Sequence, residues 1–285
     1  MKIGLLDIDY NGFPNLALMK ISSYYKFVVK AERVEWYNFT ERYDRIFVSK
    51  IFNFSPDEFH YLPSDQIIKG GTGYDINIKL PNEIEEQTWL DYTIYPTCRF
   101  SIQLFSRGCI RNCSFCVVPK KEGKIKPIQC FSMNPYGKHI EVLDNNFFAN
   151  PLWKEAILEL IKVNQPVNFH GIDARILTEE NAFYLNKLKH TKQIHIAWDD
   201  PKYDMVKKLK EIIKWIKPYK LMCYVLIGFN STQEQDFQRV GELRKLKIDP
   251  FVMPFDKSDN YQNRFARWVN HKAIFKSVNF ENYKS

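Results

Sequence analysis

The chain has 285 residues and a mass of 34.0 kDa, and its 45% hydrophobic residues suffice to bury a core in one large domain or two modest ones. Its 41 basic against 33 acidic residues leave a charge of +8, a surplus that suits a polyanion such as nucleic acid without requiring one. With 15% aromatics, only 11 Gly and 14 Pro, and no low-complexity tract, a fibrous or disordered protein is excluded.

The first 95 or so residues read as a small α/β domain plus linker. It holds an apolar strand at Ile3 to Ile8, a helical stretch from Asn15 to Tyr25 and a second strand at Asp44 to Ser49. Gly70, Gly71 and Gly73 then invite a phosphate-loop reading, but the Lys-Ser/Thr ending of such a loop is missing. The start, Met1-Lys2-Ile3-Gly4-Leu5-Leu6-Asp7, lacks the apolar segment of a signal peptide, and no run approaches the roughly 18 apolar residues of a membrane span. A cytoplasmic protein without membrane contact is therefore expected.

From residue 96 to 285 short apolar runs alternate with amphipathic stretches. Strands are expected at 100–104, 139–143, 167–170, 193–197, 220–227 and 250–253, with helices at 151–163, 178–190, 201–216 and 232–245. This is a parallel six-unit β/α arrangement, which gathers the loops after each strand on one face whether the sheet curls or stays open. Those loops carry Arg107 and a cysteine cluster, Asp144-Asn145-Asn146, Asp173 and Arg175, Trp198-Asp199-Asp200, Gly228 and Asn230, and Asp256.

Three of the six cysteines, Cys109, Cys113 and Cys116, crowd into one loop with the spacing C-x3-C-x2-C. Thiolates so spaced can converge on one metal centre, and a [4Fe-4S] cluster held by three cysteines has one iron open to a small molecule. Arg107, Arg111, Lys120 and Lys121 would offset the charge of such a centre. With Cys130 as a fourth ligand, a structural zinc site is the alternative. The six His are scattered and offer no i, i+4 pair, and no Gly-x-Ser-x-Gly elbow is present.

The three-cysteine loop, with Phe115 before its last Cys and a six-unit β/α frame behind it, resembles the radical S-adenosylmethionine superfamily. Cys116-Val117-Val118-Pro119 followed by Glu122-Gly123 is similar to the branch with methylthiotransferases and proteins carrying a cobalamin-binding domain. The resemblance implies a (β/α)6 partial TIM barrel over 96–285 ending in a helix, behind a 1–95 domain like a degenerate flavodoxin-like cobalamin-binding fold. It implies that Cys109, Cys113 and Cys116 bind a [4Fe-4S] cluster whose fourth iron takes the amino and carboxylate groups of S-adenosylmethionine. Phe115 would lie near the adenine, Asp144 and Asn146 would accept from the methionyl amino group, and Asp173 and Arg175 would reach the ligand. Gly228 would let the fifth strand pass close to the adenine.

The implied chemistry is reductive cleavage to a 5′-deoxyadenosyl radical, fed by a flavodoxin- or ferredoxin-like electron donor, with hydrogen abstraction from an unidentified substrate. No catalytic residue beyond the cluster ligands is assigned. Cobalamin is not expected, because Asp7-Ile8-Asp9-Tyr10-Asn11-Gly12 lacks the His that would coordinate cobalt. The chain ends soon after the sixth unit, without room for a C-terminal RNA-binding domain, so tRNA or ribosomal-protein methylthiolation is not expected either. The reading from another class is a non-catalytic, zinc- or iron-sulfur-stabilised basic module that binds nucleic acid. The run Asn263 to Lys276, with Arg264, Arg267, Trp268, His271 and Lys272, would be its contact surface or, alternatively, a packed helix.

Overall fold

The computed structural model describes residues 1–57 and 62–284, apart from the side chains of Gln129 and Cys130. Cys130 as a fourth thiol ligand thus lies outside the described residues. Two compact units divide the chain, Met1–Leu104 with Gln129–Lys138, and Phe105–Ile128 with His139–Ser285.

In the first unit β1 (Lys2–Asp7), β2 (Arg33–Trp36), β3 (Tyr43–Ser49) and β4 (Ser64–Gly70) form a parallel sheet in the order β2-β1-β3-β4. The expected central strands are present as β1 and β3, whose Ile3, Leu5, Ile46 and Val48 are buried. β2 and β4 went unforeseen because edge strands lack a buried face, and polar residues such as Glu35, Asp65 and Gln66 dominate their pattern. Helix α1 (Leu16–Ser23) starts where Asn15 caps it, its side chain accepting from the Ala17 and Leu18 amides.

The glycine-rich segment is the turn after β4, folded onto the end of β3, with Gly73 N donating to Lys50 O at 2.9 Å. Gly71 has φ +101°, and a Cβ there would lie 2.3 Å from Lys50 O, so close backbone approach explains the glycine. The short helix α2 (Asn82–Glu85) follows. Residues 129–138 return to this unit because Ser132 and Asn134 complete its hydrogen bonds. Ser132 Oγ accepts from Leu90 N, its carbonyl accepts from Tyr92 Oη and Gln103 Nε2, and Asn134 Nδ2 donates to Cys98 O.

The division of the chain falls within β5 (Ser101–Arg107) and β6 (Lys126–Phe131). These strands belong to a sheet of order β6-β5-β7-β8, with β7 (Ile140–Val142) and β8 (Val167–Phe169) parallel. The short helix α3 (Val118–Lys121) lies between β5 and β6. A second sheet joins β9 (Ile194–Ala197), β10 (Leu221–Ile227) and β11 (Asp249–Pro254), all parallel, in the order β11-β10-β9. The α/β class with parallel sheets is as expected, and among the described residues no closed barrel forms.

The expected helices appear as α4 (Trp153–Val163), α5 (Glu179–Lys187), α6 (Val206–Trp215) and α7 (Gln233–Lys245). Thr178 and Thr232 start α5 and α7 with reciprocal capping boxes, and Asn164 in the left-handed conformation ends α4. α8 (Asn260–Asn270) and α9 (Lys272–Ser277) close the chain. Their basic and aromatic residues largely serve packing. Trp268 is buried and donates to Val278 O at 2.8 Å, Arg264 reaches the carbonyls of Phe280 and Tyr283, and Lys272 pairs with Asp249. Among the described residues no helix is long and apolar enough to cross a membrane.

Candidate functional site

A parallel β/α unit leaves unpaired strand ends and helix starts at the carboxyl edge, where loop side chains meet. In the second unit one cavity of about 560 Å³ opens there. Its lining takes Cys109, Cys113, Phe115 and Cys116 from the loop after β5, Asn145 and Asn146 after β7, and His170, Asp173 and Arg175 after β8. Trp198, Asp199 and Asp200 follow from β9, Phe229 and Asn230 from β10, and Met253 from β11.

Three half-buried, unbridged thiols, Cys109, Cys113 and Cys116, therefore share one cavity wall. Burial pushes the Cys113 thiol up, and the neighbouring Cys116 and Cys109 act the same way, while the Arg175 guanidinium pulls it down. The Cys109 Sγ receives the Arg111 amide at 3.4 Å and the Asn146 Nδ2 at 3.8 Å. Among the described residues no three His, Cys, Asp or Glu side chains are gathered into a ligating set.

Glu122 fixes the loop. Its Oε2 accepts from Gly108 N and Asn145 Nδ2, both at 2.8 Å, and its Oε1 accepts from Arg107 Nη1 at 3.0 Å. Arg107 is thus tied to Glu122. This clamp explains Glu122 by local chemistry, which the spacing of the cysteines does not disclose.

Asp173 ties the loop after β8 to the cysteine loop. Its Oδ1 accepts from Arg175 N at 3.1 Å and Arg175 Nε at 2.7 Å, and its Oδ2 accepts from Arg111 Nε at 2.8 Å. Burial raises the carboxyl, but the bonds from Arg175 and Arg111 outweigh it and hold Asp173 below the usual carboxylate range. Arg175 also lies 5.1 Å from the centre of the Tyr203 ring.

Asn146 is 2% exposed, and its buried Oδ1 has no hydrogen-bond partner among the described atoms. A buried acceptor of this kind in a cavity wall costs stability unless a ligand donor meets it. Phe115 meets Phe229 edge to face at 5.6 Å, so the expected aromatic is joined by a second from the β10 loop.

Asp144, Gly228 and Asp256, expected at the site, are placed elsewhere. Asp144 is 1% exposed and does not line the cavity, because its carboxylate is spent on the end of β5, accepting from Phe105 N at 2.9 Å and from Ser106 Oγ. Gly228 does not line it either. Its φ is +78°, a conformation that strains any residue with a Cβ, and a Cβ there would also sit 2.2 Å from the end of the Gln262 side chain on α8. Asp256 is likewise occupied locally, accepting from the Ser258 amide at 2.8 Å.

Sequence reading missed His170, His195 and Tyr224 in the cavity lining, and Glu141, which bonds both His170 and Asn168. Arg239, 2% exposed, donates to the carbonyls of Trp198, Asp199 and Leu226 and to Asp236. The available signal was polar residues at corresponding strand positions. Glu141, Asn168 and His195 each follow the first residue of a strand.

No protein-family model matches the chain, and no curated protein matches it.

Proposed function

We propose that the chain is a radical S-adenosylmethionine enzyme whose six β/α units act as a partial barrel. One observation carries this reading. The three cysteines of the C-x3-C-x2-C loop share a cavity at the carboxyl ends of six strands with the partnerless Asn146 Oδ1 and with Arg175.

The residues suit the cofactors in their chemistry. Three thiols from one loop match a cluster with one open iron, and Arg111 and Arg175 supply positive charge beside them. The partnerless Asn146 Oδ1 suits the ammonium group of S-adenosylmethionine, and Arg175, held by Asp173, suits its carboxylate. Phe115 and Phe229 provide aromatic edges for the adenine. Bound in this cavity, the reduced cluster would supply an electron that breaks a carbon-sulfur bond of S-adenosylmethionine to give a 5′-deoxyadenosyl radical. The protein's own share is to orient the sulfonium, keep water from the cavity and present a substrate. A flavodoxin- or ferredoxin-like donor and a cytoplasmic setting belong to the same proposal.

The test is electron paramagnetic resonance of the anaerobically reconstituted, reduced protein with and without S-adenosylmethionine. A reduced-cluster signal that changes on addition is the expected result. Zinc in place of iron and sulfide, with no cluster signal, overturns the reading in favour of a metal-stabilised basic module.

A further inference from the structure

Side chains from separate loops meet in this cavity, so their spacing has to be set by ties between those loops. Cys109 comes from the loop after β5 and Asn146 from the loop after β7. The loop after β7 is anchored at both ends. Asp144 accepts from Phe105 N at 2.9 Å on β5, and Phe147 N donates to Gly171 O at 3.0 Å in the loop after β8. Between these ties stand Asn145 and Asn146, the latter with its buried, partnerless Oδ1.

The cysteine loop spans Gly108 to Val117, between the end of β5 and the start of α3. A connecting segment of this kind keeps one conformation only where neighbouring elements hold it. Glu122, the C-cap of α3, lies outside the cavity lining, and its side chain is 16% exposed. Its Oε2 accepts from Gly108 N, one residue before Cys109, and from Asn145 Nδ2, one residue before Asn146, both at 2.8 Å.

One oxygen thus stands a single residue away from the first thiol of the loop and from the partnerless acceptor. Oε1 accepts from Arg107 Nη1 at 3.0 Å, which fixes the plane of the carboxylate. A carboxylate offers about four lone-pair sites on its two oxygens, so three donors can share it. Cys109 N donates to Gly123 O at 3.2 Å, and the turn that carries Glu122 therefore also holds the backbone of Cys109. Across the loops, Asn146 Nδ2 lies 3.8 Å from Cys109 Sγ.

We propose that Glu122 is a positioning residue of this site. Through Gly108 and Asn145 it sets the place of Cys109, and of the metal centre that thiol holds, against the Asn146 Oδ1 that meets the ammonium group of S-adenosylmethionine. Glu122 touches neither group and takes part in no bond that forms or breaks. The inference rests on the functional reading above and adds to it the residue that couples its metal side to its ligand side.

The test is a double-variant cycle on S-adenosylmethionine affinity, run with the full chain reconstituted anaerobically. Glu122→Ala and Asn145→Ala should each weaken binding about 10-fold, with the iron content of the parent. Both break the same tie, so the double variant should bind no more weakly than Glu122→Ala alone, whereas independent losses would multiply to about 100-fold. If Glu122→Ala fails to fold or to take up iron, Asn145→Ala, which leaves Gly108 on Glu122, should still weaken binding.

A second readout needs neither cluster nor S-adenosylmethionine. In the cluster-free, 15N-labelled chain, the Gly108 amide and the Asn145 side-chain amide should both shift on Glu122→Ala, with Asn145→Ala identifying the latter signal. Parental affinity in the single variants, multiplied losses in the double variant, or amide signals untouched by Glu122→Ala overturns the proposal. A parent chain that takes up iron and does not bind S-adenosylmethionine overturns the functional reading and this role with it, while the amide shifts show the tie itself intact, so the two failures are told apart.

Discussion

Arg175 grips Asp173, two residues before it on one turn, through Nε at 2.7 Å from Oδ1 and Nη2 at 3.1 Å from Oδ2. The pair is structural in its own geometry and yet sits in the cavity wall, with Arg175 turned toward Cys113. An isolated arginine of this length would sample many rotamers, whereas the clamp fixes where its charge acts.

Removing the clamp should have two effects. Asp173→Ala is expected to cost about 2 kcal/mol at pH 7, the scale of hydrogen bonds to a charged group, read by urea unfolding. The sign follows from the lowered Asp173 carboxyl. Its contribution is present above the unfolded value and is lost as pH falls through the folded one. The same variant should weaken S-adenosylmethionine binding because Arg175 loses its anchor. Stability and affinity both equal to the parent would contradict this account.

Cys113→Ala should abolish S-adenosylmethionine cleavage, measured as 5′-deoxyadenosine released by the reduced enzyme. Release at the parent rate would remove Cys113 from the cluster assignment. Arg175→Ala should instead weaken S-adenosylmethionine binding and leave the iron content unchanged.

Asp144 gives a pH signature. Burial pushes its carboxyl up from 3.8 to about 6, against the bonds from Phe105 and Ser106. The native state therefore holds this proton to higher pH than the unfolded chain does. Stability from this group is complete below its unfolded value and declines as pH rises through about 6, by about 3 kcal/mol in all. Asp144→Asn cannot titrate, so its unfolding free energy should fall less between pH 4 and pH 7 than that of the parent. Parallel pH curves would show that Asp144 ionises as an ordinary carboxyl. Asp199, also raised to about 6 by burial, is present in both proteins and cancels from the comparison.

Arg239 and Asp236 are each 2% exposed in their side chains and 2.7 Å apart. Arg239→Ala should cost about 3–5 kcal/mol, because it strands the Asp236 carboxylate and three carbonyl oxygens without their donor. The double variant Arg239→Met with Asp236→Leu should recover part of that loss. A single-variant loss below about 1 kcal/mol in chemical denaturation would mean that solvent replaces the clamp.

Gly228→Ala tests where the constraint on that glycine originates. With positive φ and Gln262 in the way, the variant should lose about 1–3 kcal/mol. Pairing it with Gln262→Ala should restore part of the loss. A variant of parental stability with only S-adenosylmethionine affinity reduced would return Gly228 to the ligand site.

The sequence by itself determined the alternation of strands and helices after residue 100, because each buried strand writes a run of apolar residues and each helix an amphipathic period. It also placed Cys109, Cys113 and Cys116 in one loop, since their spacing is local and needs no fold to be read. Edge strands β2 and β4 escaped because half-exposed polar residues carry no such period. Only the tertiary structure decided which way Asp144 turns, and that Gly228 answers to Gln262. The same holds for the meeting of Glu141 on β7 with His170, which follows β8. Those outcomes depend on which elements the fold lays side by side, and a chain bringing together residues about 30 positions apart leaves no mark of that pairing in its local pattern.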